Sequence, residues 1–120
     1  MNEPEDPNNF EGQDVTTIGL FVKASAGLYI KILLNDIAYL KADKDYTKII
    51  TLHGEHLKTI QIGKLLEKLD HKVFCRVHQS YAINTSKIDG IHGGCVVVSG
   101  IEIPIGRTYK IAFFKHIGKM

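Results

Sequence analysis

Residues 74–84 read FCRVHQSYAIN, placing Arg76, His78, Gln79, Ser80, Tyr81 and Asn84 within eleven positions, straight after a strand-like beginning. In a strand, successive side chains point to opposite faces. Cys75 and Val77 therefore share one face, and Phe74, Arg76 and His78 share the other. Gln79 and Ser80 fall where the strand ends, so the segment reads as a rigid mount carrying a short polar tip.

Upstream of this stretch the chain alternates apolar strands and tight turns. Ile18–Ala24 and Gly27–Leu34 are rich in branched and aromatic residues and are joined across Ser25-Ala26-Gly27 as a hairpin. Asn35-Asp36 turns the chain into a third strand, Ile37–Lys41. The polar run Ala42–Asp45 leads into Tyr46–His53, and His53-Gly54-Glu55 returns it as His56–Gln61. The period then changes, with Ile62, Leu65, Leu66 and Leu69 at i, i+3, i+4 and i+7 marking an amphipathic helix over about 62–70 that covers one side of the sheet. Downstream, Gly93-Gly94 joins Ile88–His92 to Cys95–Ser99 as a hairpin, Glu102–Ile105 forms a last short strand, and TYKIAFFKHI (108–117) suggests a short closing helix. Residues 1–17 are acidic and poor in apolar side chains. They read as a disordered leader to one domain over 18–120.

The net charge of +2 conceals an uneven distribution: five of the thirteen acids lie within residues 1–14, leaving residues 15–120 with fifteen bases against eight acids, a net of +7. A basic domain suits a polyanionic partner, although a solvated lysine surface gives the same count. Apolar runs such as Leu28–Leu34 are too short to span a membrane. Cys75 and Cys95 offer no disulfide or metal framework, so a reducing, cytoplasmic setting is the expectation. Six histidines invite a metal reading. Neither His53-Gly-Glu-His56 nor Cys75-x-x-His78 has a second pair of ligands to close a zinc site. The acids are scattered over turns, the glycines punctuate hairpins, and Cys75 lies in a strand that suggests a buried thiol, so no catalytic centre, metal or cofactor is expected. What remains is three polar clusters on connections between strands: Lys44 and Lys48, Arg76 to Ser80, and Arg107 to Lys110. Lys, Ser and backbone N–H groups bind phosphates, and Arg and Gln make paired hydrogen bonds to guanine and adenine edges. The plainer readings are a surface ion pair for Arg107 and local turn capping for Ser80 and Asn84.

The pattern F-x-R-x-H-x-S-Y-x-x-N at 74–84, followed by Ile88, strongly resembles the signature of the LytTR DNA-binding domain, the output domain of many bacterial response regulators. Asp36-Ile37-x-Tyr39-Leu40, Asp45-Tyr46-Thr47 and Ile103-Pro104-Ile105-Gly106-Arg107-x-Tyr109 resemble further motifs of that family, in the right order. The resemblance implies a mainly β fold of about ten short, mostly antiparallel strands in an elongated sandwich, with the amphipathic helix and the short C-terminal helix. It also implies that double-stranded DNA is read by loops in successive major grooves, with a minor-groove contact between. Carried onto this chain, Arg107, Gln79, Lys48 and Thr47 would read bases, and Arg76, Ser80, Lys44 and Lys110 would hold phosphates. His78, Tyr81 and Asn84 would shape the segment.

The chain departs from the family pattern at Gln79, where many members carry Arg or Asn, and at Gly106, where many carry Ser. No receiver domain accompanies it, so it reads either as a stand-alone regulator or as an excised output domain. The expected function is sequence-specific transcriptional regulation without catalysis, as a homodimer on repeated half-sites and with a sensor kinase or receiver-containing partner. The alternative is a protein-interaction or sensory module that keeps the fold without DNA binding, for which strand edges such as Ile18–Ala24 would serve.

Overall fold

A computed structural model describes residues 19–118. The expected leader and Ile18 lie outside these residues. Ten strands and two short helices follow one another: β1 (Gly19–Ser25), β2 (Leu28–Leu33), β3 (Ile37–Asp43), β4 (Tyr46–Thr51), β5 (Gly54–Lys58), α1 (Ile62–Lys68), β6 (Phe74–His78), β7 (Tyr81–Asn84), β8 (Ile88–His92), β9 (Cys95–Val98), β10 (Ile101–Pro104) and α2 (Lys110–His116). All strand pairings are antiparallel. They build a five-stranded sheet in the order β5-β4-β3-β7-β6, a three-stranded sheet β10-β9-β8 and the β1-β2 hairpin.

The five-stranded sheet is the middle layer, and each of its faces has its own core. On one face Leu40, Ile49, Phe74 and Ala82 pack with Leu20, Val22 and Ile32 of the β1-β2 hairpin and with Ile62 and Leu65 of α1. On the other, Ala38, Cys75, Val77 and Ile83 meet Val96, Val98 and Ile103 of the three-stranded sheet and Phe113 of α2. Burying one such aliphatic or aromatic side chain is worth about 1.5–3 kcal/mol. Strict alternation in β3 is broken between Ile37 and Tyr39 by a register shift. That irregularity lets the consecutive Ala38 and Tyr39 face the same core, while Ile37 and Leu40 face the other.

Several strand and helix boundaries differ from the sequence reading, β5 among them, which runs Gly54–Lys58 where His56–Gln61 was expected. Tyr81–Asn84 is a strand in the sheet interior, paired with both β3 and β6, where the sequence reading placed no strand. Its Ala82, Ile83 and Asn84 are all buried, because a central strand is covered on both faces and loses the apolar-polar alternation that marks a half-exposed one. β3 runs on to Asp43, leaving only Lys44 and Asp45 for the turn to β4. α1 stops at Lys68 because Leu69 is extended (φ −100°, ψ 162°), although Leu69 itself remains in the core.

Candidate nucleic-acid interface

The β3-β4 turn, the β6-β7 tip and the junction between β10 and α2 come together at one end of the middle sheet. The Ala42 N–H donates to the Ser80 carbonyl at 2.8 Å, which carries the β3-β7 ladder up to the tip. The β6-β7 register skips Val77, with Arg76 opposite Ala82 and His78 opposite Tyr81. At this bulge the Val77 carbonyl accepts the Gly106 N–H at 2.7 Å, fastening the last junction to the tip. Gly106 opens a 3-10 turn, Arg107–Tyr109, that runs directly into α2. A Cβ at Gly106 would lie 3.2 Å from Tyr109 Cδ2 and in ordinary contact, 3.5 Å, with His78 Cα, so a serine there would need the Tyr109 ring to give by a few tenths of an ångström.

Lys44, Gln79, Arg107 and Lys110 are exposed, and Lys48, Ser80 and Arg76 are half-buried. His78 Nδ1 accepts the Ser80 N–H at 3.0 Å, so the neutral ring carries its proton on Nε2, and its edge meets the Tyr81 ring at 5.7 Å between centroids. The bulge has moved His78 to the face of Tyr81, away from the face that simple alternation assigns to it. Asn84 is fully buried, its amide donating to the Ile37 carbonyl at 2.9 Å while its Oδ1 accepts from Ser86 N (2.9 Å) and Ser86 Oγ (2.7 Å). His78 and Tyr81 thus shape this end of the molecule, while Asn84, at the far end of β7, fastens that strand to the start of β3.

Registered pairs place Lys48, Lys41, Tyr81 and His78 in one row across β4, β3, β7 and β6. Lys41 is exposed, with Nζ 5.8 Å from the Tyr81 ring centre, and sequence reasoning missed it. Its position opposite Lys48 follows from the hairpin register, which the two-residue turn at Lys44-Asp45 determines. The turn itself holds Asp43 and Asp45 against one ammonium, so the positive charge at this end resides mainly on Lys41, Lys48, Arg107 and Lys110.

The model of the LytTr DNA-binding domain matches residues 27–118. This chain belongs to the LytTr family. A LytTr domain from Bacillus cereus has the same fold, with a TM-score of 0.73 at 20% identity over 86% of this chain and 99% of that one. A response regulatory protein of Vibrio cholerae is 30% identical over 78% of this chain and 40% of its own length. The CO-responsive transcriptional regulator RcoM of Rhodospirillum rubrum is 31% identical over 60% of this chain and 34% of its own length. The LytTr chain thus spans well under half of either relative. The family is one of DNA-binding domains, not of enzymes.

Thr47, expected from the sequence to read bases, lies away from the surface. It is fully buried, on the Ile49 face of β4, and its hydroxyl donates to the Ile60 carbonyl at 2.7 Å, pinning the approach to α1. Arg76 is engaged inside the protein, donating from Nε to the His78 carbonyl at 3.1 Å and from its outer nitrogen to the Gln79 carbonyl. Burial pushes the Cys75 thiol above its ordinary pKa, and a thiol that resists ionisation is a poor nucleophile. Among the described residues no three His, Cys, Asp or Glu side chains gather as metal ligands, and no helix is long and apolar enough to cross a membrane.

Proposed function

We propose that this LytTr domain recognises specific double-stranded DNA sequences through the three connections at the end of its middle sheet, and thereby regulates transcription. The observation that carries this reading is the convergence of the β3-β4 turn, the β6-β7 tip and the β10-α2 junction, tied by the Ala42–Ser80 and Gly106–Val77 hydrogen bonds. Arg107 and Gln79, both exposed, read base edges in the major groove, where their paired donors and acceptors suit guanine and adenine. Lys48 and Lys41 approach from the neighbouring row. Ser80, Lys110 and Lys44 hold phosphates and set the register of the protein on the duplex.

In a longer regulator such a domain would be governed by a sensor kinase or a receiver-bearing partner, act in the cytoplasm and bind repeated half-sites as a homodimer. The Vibrio cholerae relative is named a response regulatory protein and the Rhodospirillum rubrum one a transcriptional regulator, which supports the regulatory part of that setting. Selection from random duplexes, followed by gel shifts, tests the reading. Affinity should fall steeply with salt as phosphate contacts are lost. Arg107→Ala should cost about 1–3 kcal/mol and relax preference at one base position. Binding that ignores both salt and Arg107→Ala would refute it.

A further inference from the structure

Arg76 lies where three segments meet. Its Nε bonds the His78 carbonyl at 3.1 Å and its outer nitrogen bonds the Gln79 carbonyl, so one guanidinium clasps both carbonyls leading into the hairpin tip. Its central carbon sits 5.8 Å from the centre of the Tyr109 ring, within cation–π range. Tyr109 stands in the 3-10 turn beside Arg107, one residue before Lys110, and its N–H bonds the Gly106 carbonyl at 3.0 Å. On a third side Nη1 lies 3.4 Å from where a Cβ would project at Gly63 of α1. Arginine suits this place because its planar fork can bond two carbonyls and stack on a ring at once, whereas a lysine ammonium is a point charge.

We infer that Arg76 is a positioning residue, fixing the Gln79 tip relative to the Arg107–Lys110 segment through Tyr109, and not a phosphate contact. This rests on the proposed DNA-reading role of those two segments. Two of the guanidinium's N–H donors are spent on the main chain of the tip, and its ring partner belongs to the other proposed reading segment. Binding DNA with the two segments already set avoids the ordering cost that loose loops would incur. Loss of the clasp therefore lowers affinity through both segments together and leaves the number of neutralised phosphates unchanged.

Four variants test this on the intact chain: Arg76→Lys, Arg76→Met, Tyr109→Leu and the double variant Arg76→Met/Tyr109→Leu. A selected duplex is titrated at several salt concentrations, and thermal melts confirm that each protein is folded. Arg76→Lys keeps the charge, so a phosphate contact would tolerate it and a clasp would not. The expected result is a tenfold or greater loss for Arg76→Lys, Arg76→Met and Tyr109→Leu alike, with the salt slope of the parent, and a double variant little worse than either single one. Parental affinity in Arg76→Lys, with a slope reduced by about one in Arg76→Met, would overturn the inference. A readout without DNA separates its failure from failure of the DNA-reading proposal. Amide hydrogen exchange of the free protein should accelerate at Gln79 and Ser80 in both Arg76→Met and Tyr109→Leu, and protection equal to the parent's would also overturn it. Should Arg76→Met not fold, Arg76→Lys and Tyr109→Leu carry both readouts.

Discussion

At the scale of single residues, Thr47 and Asn84 show how a polar side chain can serve the interior. Both are fully buried, and both complete hydrogen bonds to the main chain. Thr47→Val should destabilise the domain by about 1–3 kcal/mol, since it leaves the Ile60 carbonyl without its donor while keeping the side-chain shape. The midpoint of urea unfolding measures this. DNA affinity of the folded variant should equal that of the parent, whereas a selective loss of affinity at unchanged stability would restore Thr47 to the interface. The sequence could not separate these outcomes. A threonine beside a lysine in a half-exposed strand looks the same facing in or out until its neighbours Ile49 and Ile60 are placed.

At the scale of elements, the turn between β3 and β4 is made of only two residues, and Lys44 takes φ +58° there. A left-handed conformation costs an L-residue about 1–2 kcal/mol, which glycine avoids at the expense of greater freedom in the unfolded chain. Lys44→Gly should therefore leave stability unchanged or raise it by up to about 1 kcal/mol, read as an unchanged or higher melting temperature. A fall of several degrees would mean that the lysine side chain supports the turn. Most elements were legible because their signals are local: alternating branched residues in β3 and β4, the apolar i, i+3, i+4, i+7 spacing of Ile62, Leu65, Leu66 and Leu69 at α1, and Gly93-Gly94 between β8 and β9. β7 was the exception, since both of its faces are covered and Asn84 gives a central strand the look of a loop. The polar tip at Gln79 and Ser80 could be read from sequence. Its fastening to Gly106 through the bulged Val77 could not, because nothing in the spacing of residues 77 and 106 announces a hydrogen bond.

At the scale of the whole molecule, a middle sheet with a core on each face makes stability depend on groups that must stay neutral. Tyr39 packs against the second core. Burial raises its pKa most, the neighbouring Tyr81 and Glu55 raise it further, and Lys41 offsets part of this. Burial likewise raises that of Cys75. A group whose folded-state pKa lies above its unfolded value binds more protons when folded, so its contribution is complete at neutral pH and is lost as pH rises through the folded-state value. Urea midpoints should accordingly be flat near pH 7 and decline above about pH 9, where an unfolded chain begins to release these protons. Cys75→Val should lessen the decline. A midpoint that rises with pH over this interval would contradict the assignment.

The bond from Gly106 to Val77 has a consequence in time. The residues proposed to read DNA are drawn from three places in the chain, and the last of them docks onto a hairpin made much earlier. During synthesis the β3-β4 and β6-β7 hairpins can pair while Arg107 is still within the ribosome, so a nascent chain passes through a stage with most of its sheet and none of its completed reading edge. Competence to engage an operator would then arrive late and all at once, when the final turn locks into place, and unfinished chains would not compete for the same sites.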